Sequence, residues 1–219
     1  LPPTPTISTR AASTRAPREY GRRLPGFRIF LRRLTEHDQT EFLRLVRDSR
    51  SLHHPWVSPP SGVAGFQRLA QRAQAETLVS LLVCERRSAT MLGVFNLSQI
   101  FRGNFRSAYL GYYGHVAFLG QGYMREGLEL VARYAFTKLG LHRIEANIQP
   151  GNVRSLELVA RAGFSKEGFS PRYLKVAGRW RDHERWAITL EGWRARAATL
   201  GSSPKGKSAM IERSRRTKA

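Results

Sequence analysis

Apolar and polar positions alternate in "FRIFLRR", with Phe27, Ile29 and Leu31 separated by basic residues. Period two predicts a half-buried strand there. Thr35 followed by Asp38 resembles a capping box, and Phe42, Leu45, Val46 and Ser49 continue at helical spacing. "HHPWVSPPSG", residues 53–62, is dense in turn formers, and residues 63–76 again suit a helix. Two β-rich runs, 77–85 and 90–100, are joined by the short "RRSA" and predict an antiparallel hairpin. After the turn "FRGNF", residues 107–116 read as a further strand.

The strongest helical stripe follows: Met124, Leu128, Val131, Ala132, Ala135, Phe136 and Leu139 recur at steps of three and four. Residues 141–149 then read as a strand, with Ile144, Ala146 and Ile148 on one face. Asn152 can cap a short helix that Gly163 ends. Strands at 172–176 and 180–190, joined by "AGR", complete the series. The pattern predicts a single α/β domain over residues 26–195, with a mixed, mostly antiparallel sheet and about four helices.

The flanks differ in composition. Residues 1–25 are rich in Pro, Thr, Ser and Arg without apolar period, and read as a disordered basic arm. The Arg and Ser content also suits an organellar transit segment, although the prolines oppose an amphipathic helix. Residues 196–219 read as a second basic tail.

Charge changes the picture more than overall composition does. The chain of 219 residues has 37 Lys and Arg against 16 Asp and Glu, a formal +21. With five Arg and one Glu in residues 1–25, and six Lys or Arg and one Glu in 201–219, the body keeps about +12. Such a field attracts nucleic acid, ribosomes or small polyanions without choosing among them. The longest apolar run, residues 78–84 broken by Ser80, is too short to span a bilayer. The single Cys84 lies in that run and reads as a buried thiol. A reducing, cytoplasmic setting without membrane contact is the expectation.

Candidate chemistry begins at "FLGQGYMREGLELV". Gly120 and Gly122 stand at the mouth of the best helix, whose first amides lack intrahelical partners. Either the glycines make a tight turn, or they let bare backbone grip an anion at the positive end of the helix. The loop is no Walker motif, and Arg125 occupies the third glycine position of GxGxxG. His53 and His54 have no third ligand near them in sequence, so no metal site is expected.

"GQGYMREGLELVARYAF", "LHRIEANIQPGNVRSLELVARAGFSKEG" and "GRWRDH", with "MLGVFNLSQIFRGNFRSAYLGY" upstream, resemble the GNAT superfamily of N-acetyltransferases over residues 27–190. Within it they resemble the RimJ/RimL branch, which acetylates N-termini of ribosomal proteins. The resemblance implies acetyl-CoA as cosubstrate, bound at its diphosphate by the loop of Gly120, Gln121, Gly122, Tyr123, Met124 and Arg125. The loop departs from the family's Q/R-x-x-G-x-G/A, with Leu119 at its first position and Met124 at its last. It further implies that the main chain of Tyr113, Gly114, His115 and Val116 pairs with the pantetheine arm, where Gly114 replaces the usual β-branched residue.

Asn152 and Ser155 match the family's N-x-x-S, which implies that Asn152 holds the cofactor arm and that Ser155 touches the cofactor or its leaving group; Asn152 also reads as a plain N-cap, and Ser155 as helix surface. The family tyrosine that protonates the departing thiolate falls on Val159. Ser155 and Tyr112 are therefore the catalytic candidates. Direct attack by a neutral amine needs a proton acceptor, for which Tyr112, Glu145, Asp182 and His183 stand open beside structural roles. Glu126 reads as a complement to the helix dipole. Trp56 either covers an incoming peptide end or staples its loop. The expected acceptor is a protein N-terminus, of a ribosomal protein or at the ribosome; a small amine, or nonspecific RNA contact around a vestigial pocket, are the rival readings.

Overall fold

The computed structural model describes residues 19–22 and 24–201. One eight-stranded sheet runs through it in the order β1-β2-β3-β4-β5-β6-β8-β7. Its strands are β1 (Glu19–Tyr20), β2 (Ile29–Arg33), β3 (Leu78–Glu85), β4 (Met91–Ser98), β5 (Ser107–Gly114), β6 (Arg143–Ile148), β7 (Ser165–Val176) and β8 (Arg179–Thr189). Every neighbouring pair is antiparallel except β5 and β6.

Helices cover both faces. On one face lie α1 (Gln39–Asp48), the single turn α2 (Arg50–His53) and α3 (Val63–Arg72). On the other lie α4 (Tyr123–Thr137), α5 (Val153–Arg161) and α6 (Leu190–Gly201). The strands alternate between two cores accordingly. Val79, Leu81 and Val83 of β3 join Leu128, Val131 and Ala135 of α4. Leu82 and Cys84 join Phe42 and Leu45 of α1 and Phe66 of α3, with the two phenyl rings 5.1 Å apart. Because both faces are covered, β3 reads as an unbroken apolar run rather than an alternating one. Burial raises the Cys84 thiol to about 11, against the opposing pull of Arg32, so it stays a protonated core group.

Several expected boundaries move. Among the described residues there are six α-helices rather than about four: α2 begins three residues before the predicted loop, and α6 carries the domain to Gly201, into the segment assigned to the tail. Glu19–Tyr20, assigned to the arm, pairs with Arg32 and Leu31 of β2. Tyr20 also stacks edge-on to Tyr134 at 5.2 Å, so an aromatic contact fixes what composition alone made look unstructured. Residues 1–18, 23 and 202–219 of the predicted flanks lie outside the described residues. β7 starts seven residues before the predicted Arg172, because its ladder crosses an irregularity between Ser170 and Leu174, where Arg172 has φ of 48°. Asp182 accepts a hydrogen bond from the Arg172 amide at 2.7 Å and secures the break. Ala177 and Gly178, both at positive φ, form a two-residue hairpin turn, one residue shorter than the expected "AGR", because Arg179 already pairs with Val176.

Among the described residues no helix is long and apolar enough to cross a membrane.

Candidate active site

The one parallel pair creates the site. β5 and β6 pair only at Ser107, Ala108 and Tyr109, opposite Arg143, Ile144 and Glu145. Beyond that point β5 stays on β4 as far as Gly114, while β6 stays on β8 as far as Ile148. The strands therefore diverge towards their carboxyl ends and leave a wedge between residues 110–114 and 146–148. A sheet opening of this kind offers a ligand unpaired main-chain groups. The His115 amide donates to Leu92 O, towards β4. Strand alternation then turns the main chain of Tyr112 and Gly114 to the wedge.

At the end of β5 the chain makes a 3-10 turn, Val116–Phe118, and enters the glycine loop. Gly120 and Gly122 have φ of 77° and 82°, a region in which a side chain is strained. No atom lies within 4 Å of where a Cβ on Gly120 would stand. Gly122 is the N-cap of α4, and its carbonyl accepts from the Arg125 and Glu126 amides at 3.1 Å. Among the described residues the amides of Gln121, Gly122, Tyr123 and Met124 have no hydrogen-bond partner. The loop is thus more than a turn: it presents consecutive free N–H groups at the positive end of a 15-residue helix.

Two of the three departures from the family pattern, Met124 and Gly114, acquire a physical reason. Gly93 and Gly114 face each other across β4 and β5, and the Met124 side chain rests on both. A Cβ on Gly93 would stand 2.6 Å from Met124 Sδ, and one on Gly114 would stand 3.2 Å from Met124 Cγ. Met124 therefore packs downward as a plug under the loop, and Gly114 is small because the methionine takes its space. Tyr123 packs below the Arg28 guanidinium, 4.4 Å from ring centroid to Cζ, and edge-on to Phe118. The Gln121 side-chain amide folds back and donates from Nε2 to Ala117 O at 3.3 Å, while Arg125 is exposed to solvent.

Helices α1 and α2 grip the strand end from the other face. Ser49 Oγ, wholly buried, accepts from the Val116 amide at 2.9 Å. His53 Nε2 lies 2.9 Å from the Gly114 carbonyl, which can only accept, so Nε2 carries the proton. Part of the main chain that the resemblance assigns to the pantetheine arm is thus already engaged, which leaves the edge around Tyr112 open. His115 caps its own turn, with Nδ1 accepting from the Ala117 amide.

Burial lowers the His53 pKa, and neighbouring His115 adds to the effect, against the pull of the Gly114 carbonyl. The unfolded chain then binds the proton more readily than the folded one. The stabilising contribution of neutral His53 is whole above about pH 6.5 and is lost as pH falls through the folded value. Buried His183 is shifted the same way. His53→Gln keeps a donor for Gly114. We expect its melting temperature to fall less than that of the wild type between pH 7.5 and 5.5, by differential scanning fluorimetry; parallel curves would refute a depressed His53.

The catalytic candidates meet across the wedge. The Tyr112 hydroxyl, from β5, lies 2.5 Å from Ser155 Oγ and 3.3 Å from the Ser155 carbonyl, in the first turn of α5. Ser155 is therefore drawn inward and is no free surface residue. Burial pushes the Tyr112 phenol up to about 12, with the Ser155 hydrogen bond opposing. It remains protonated at neutral pH and suits a donor, not a base. Asn152 caps α5, its side chain accepting from the Ser155 amide at 3.3 Å. The other base candidates are engaged structurally: Glu145 with Arg143 at 2.8 Å, Asp182 with the Arg172 amide, and His183 Nδ1 beside Arg181 O at 2.9 Å. Trp56 reaches the turn between β6 and α5. Its carbonyl accepts from buried Gln149, and its ring lies where a Cβ on Gly151 would stand 3.0 Å away. Those contacts make it a staple at the mouth of the wedge.

Sequence reasoning missed Arg28, Ser49, Gly93 and the role of His53. It placed Glu126 correctly in the first turn, but the carboxylate also binds Arg28. Among the described residues no group of three His, Cys, Asp or Glu side chains is arranged to hold a metal.

Residues 28–165, which contain the wedge, the loop and both catalytic candidates, match the acetyltransferase (GNAT) domain. The chain belongs to the GNAT family. This GNAT chain is 44% identical over 103 residues to the ribosomal protein uS5-alanine N-acetyltransferase of Escherichia coli (strain K12), covering 47% of itself and 53% of the relative. It is 43% identical over 98 residues to the probable N-acetyltransferase YjcK of Bacillus subtilis (strain 168), covering 45% and 54%. It thus spans about half the length of the curated relatives it matches. Among solved structures, Mycobacterium smegmatis RimJ in complex with CoA-disulfide superposes with a TM-score of 0.68 at 27% identity, over 78% of this chain and 89% of that one. The Vibrio cholerae spermidine N-acetyltransferase with CoA and spermine shares the GNAT fold at a TM-score of 0.67 and 22% identity, over 76% and 98%.

Proposed function

We propose that the chain transfers the acetyl group of acetyl-CoA to the N-terminal amine of a protein, a ribosomal protein by preference. The observation that carries the reading is the wedge between β5 and β6, with unpartnered amides in the loop after β5 and a part-buried Tyr112–Ser155 hydroxyl pair that joins β5 to α5, the helix after β6. These residues fit acetyl-CoA: the open backbone at Gly120 and Gly122 admits a diphosphate, and the β5 edge at Tyr112 can pair with an amide-bearing arm.

In this reading the wedge brings amine and thioester together, and most of the rate comes from that positioning. Main-chain N–H groups on the β5 edge stabilise the developing oxyanion. One hydroxyl of the Tyr112–Ser155 pair gives its proton to the departing thiolate, filling the place left by Val159, and the pair regains a proton from the one the amine sheds as the amide forms. Trp56, at the other side of the mouth, borders the acceptor. The ribosomal acceptor rests on the likeness to the uS5-alanine enzyme and on the basic balance of the chain, which favours approach to a ribosomal surface.

The test is direct. The chain is incubated with acetyl-CoA and a peptide carrying the uS5 N-terminus, an internal-lysine peptide, or spermidine, and products are read by mass spectrometry. Acetylation confined to the N-terminal amine supports the proposal; acetylation of spermidine alone refutes it. Tyr112→Phe should lower kcat about 10²-fold or more, the usual weight of one acid–base group, at nearly constant KM for acetyl-CoA. An unchanged kcat would remove Tyr112 from the mechanism.

A further inference from the structure

Arg28 sits immediately before β2, almost a hundred residues from the glycine loop, yet it makes three contacts beneath it. Its Nε donates to Glu126 Oε1 at 2.7 Å, and its amide donates to Glu126 Oε2 at 2.9 Å. A terminal guanidinium nitrogen donates to the carbonyl of Gln121 at 2.8 Å. The guanidinium plane also covers the Tyr123 ring. A Cβ on Gly122 would stand 3.4 Å from the same nitrogen, so the arginine occupies the underside of the loop at that glycine.

The Gln121 contact has a geometric effect on the next residue. A trans peptide is planar, with its C=O and the following N–H pointing in opposite directions. Holding the Gln121 carbonyl down onto Arg28 turns the Gly122 N–H away from the protein body, beside the free amides of Tyr123 and Met124. Glu126, from the first turn of α4, holds the guanidinium in place and neutralises much of its charge. The role this leaves is to aim an amide, with bare attraction secondary.

We propose that Arg28 is a positioning residue for the diphosphate of the acyl donor: through the Gln121 carbonyl it fixes the orientation of the Gly122 amide. This rests on the reading of the loop as the acetyl-CoA diphosphate cradle. It gives a source outside the loop for the side-chain support that Leu119, at the first signature position, cannot supply.

The test compares acetyl-CoA with S-acetylpantetheine, which carries the same thioester but no diphosphate. Arg28→Gln should raise KM for acetyl-CoA about tenfold, the factor set by one lost charge-assisted hydrogen bond. It should leave kcat at saturation within about twofold, and the use of S-acetylpantetheine unchanged. Arg28→Lys keeps the stem over Tyr123 and the charge, and guards against a fold defect. It should melt like the wild type and still show the raised KM. Equal losses with both donors, no change in KM, or full rescue by lysine would each overturn the proposal. Wild-type chain that gains no thermal stability from acetyl-CoA overturns the cradle reading itself, and is told apart by needing no variant.

Discussion

Gly122→Asp is expected to abolish the rise in melting temperature that acetyl-CoA should give the wild-type chain, read by differential scanning fluorimetry. A ligand at about a hundredfold its Kd stabilises the folded state by about 2.7 kcal/mol. For a domain of this size that is a rise of roughly 5–10 °C in melting temperature. Gly122 caps α4 at φ 82°, a conformation that Asp and Asn tolerate better than other side chains do. The variant should therefore fold. Its Cβ would start 3.4 Å from a terminal nitrogen of Arg28, so the carboxylate would compete with the Gln121 carbonyl for that guanidinium and put a negative charge beside the loop amides. Two like charges 4 Å apart repel by about 4 kcal/mol at an effective dielectric of 20, roughly a thousandfold in affinity. Gly122→Asn has the same shape without the charge and separates strain from repulsion: it should keep part of the shift. A full shift in the aspartate variant would sink the diphosphate assignment.

The second large effect lies under the loop. Gly114→Val, which restores the β-branched residue that the family resemblance leads one to expect, should destabilise the chain by about 1–3 kcal/mol, as overpacking does. The added Cβ would press on Met124, 3.2 Å from its Cγ and 3.4 Å from its Sδ, with the Leu92 carbonyl next at 3.9 Å. Met124→Ala should therefore recover most of the loss, and a double-mutant cycle read by urea denaturation should give a coupling of about 1 kcal/mol or more. Gly93→Val should resist the same rescue, because its Cβ would also stand 3.0 Å from the Tyr113 carbonyl, which cannot move away. Additive losses at Gly114 and Met124 would show that the methionine does not occupy the glycine's space.

Those two glycines mark the limit of what the sequence disclosed. Local period was enough for most strands and for α1, α3, α4 and α5, though not for α6 or the first half of β7, since alternation at Ile29 and Leu31 and the stripe from Leu128 to Phe136 are one-dimensional records of two cores. The anion-facing loop was legible for the same reason: glycines beside a helix start are neighbours in sequence. Gly93 facing Gly114 under Met124 is a contact between three segments, and nothing near Gly93 announces it. Arg28 is another such case, indistinguishable in "GFRIFLRR" from the other basic residues of the strand until the fold brings it to Glu126. His53 looked like a loop residue because His54, Pro55 and Trp56 follow it, yet it ends a helical turn that starts at Ser49. Short elements fixed by tertiary contacts, such as Glu19–Tyr20, leave no period to read.

The pairing of β5 with β6 has a mechanical meaning. Three residue pairs join a half-sheet of five strands to one of three. Little main-chain bonding resists rotation of the halves about that seam. Its stiffness lies in side chains that straddle it: Leu128, Val131 and Ala135 of α4 share one core with strands on both sides, Ile144 and Ala146 included. The aperture between the strands is therefore set by the bulk of a few aliphatic residues buried behind it, and a methyl group gained or lost there would widen or narrow the cleft without any change to the residues that line it.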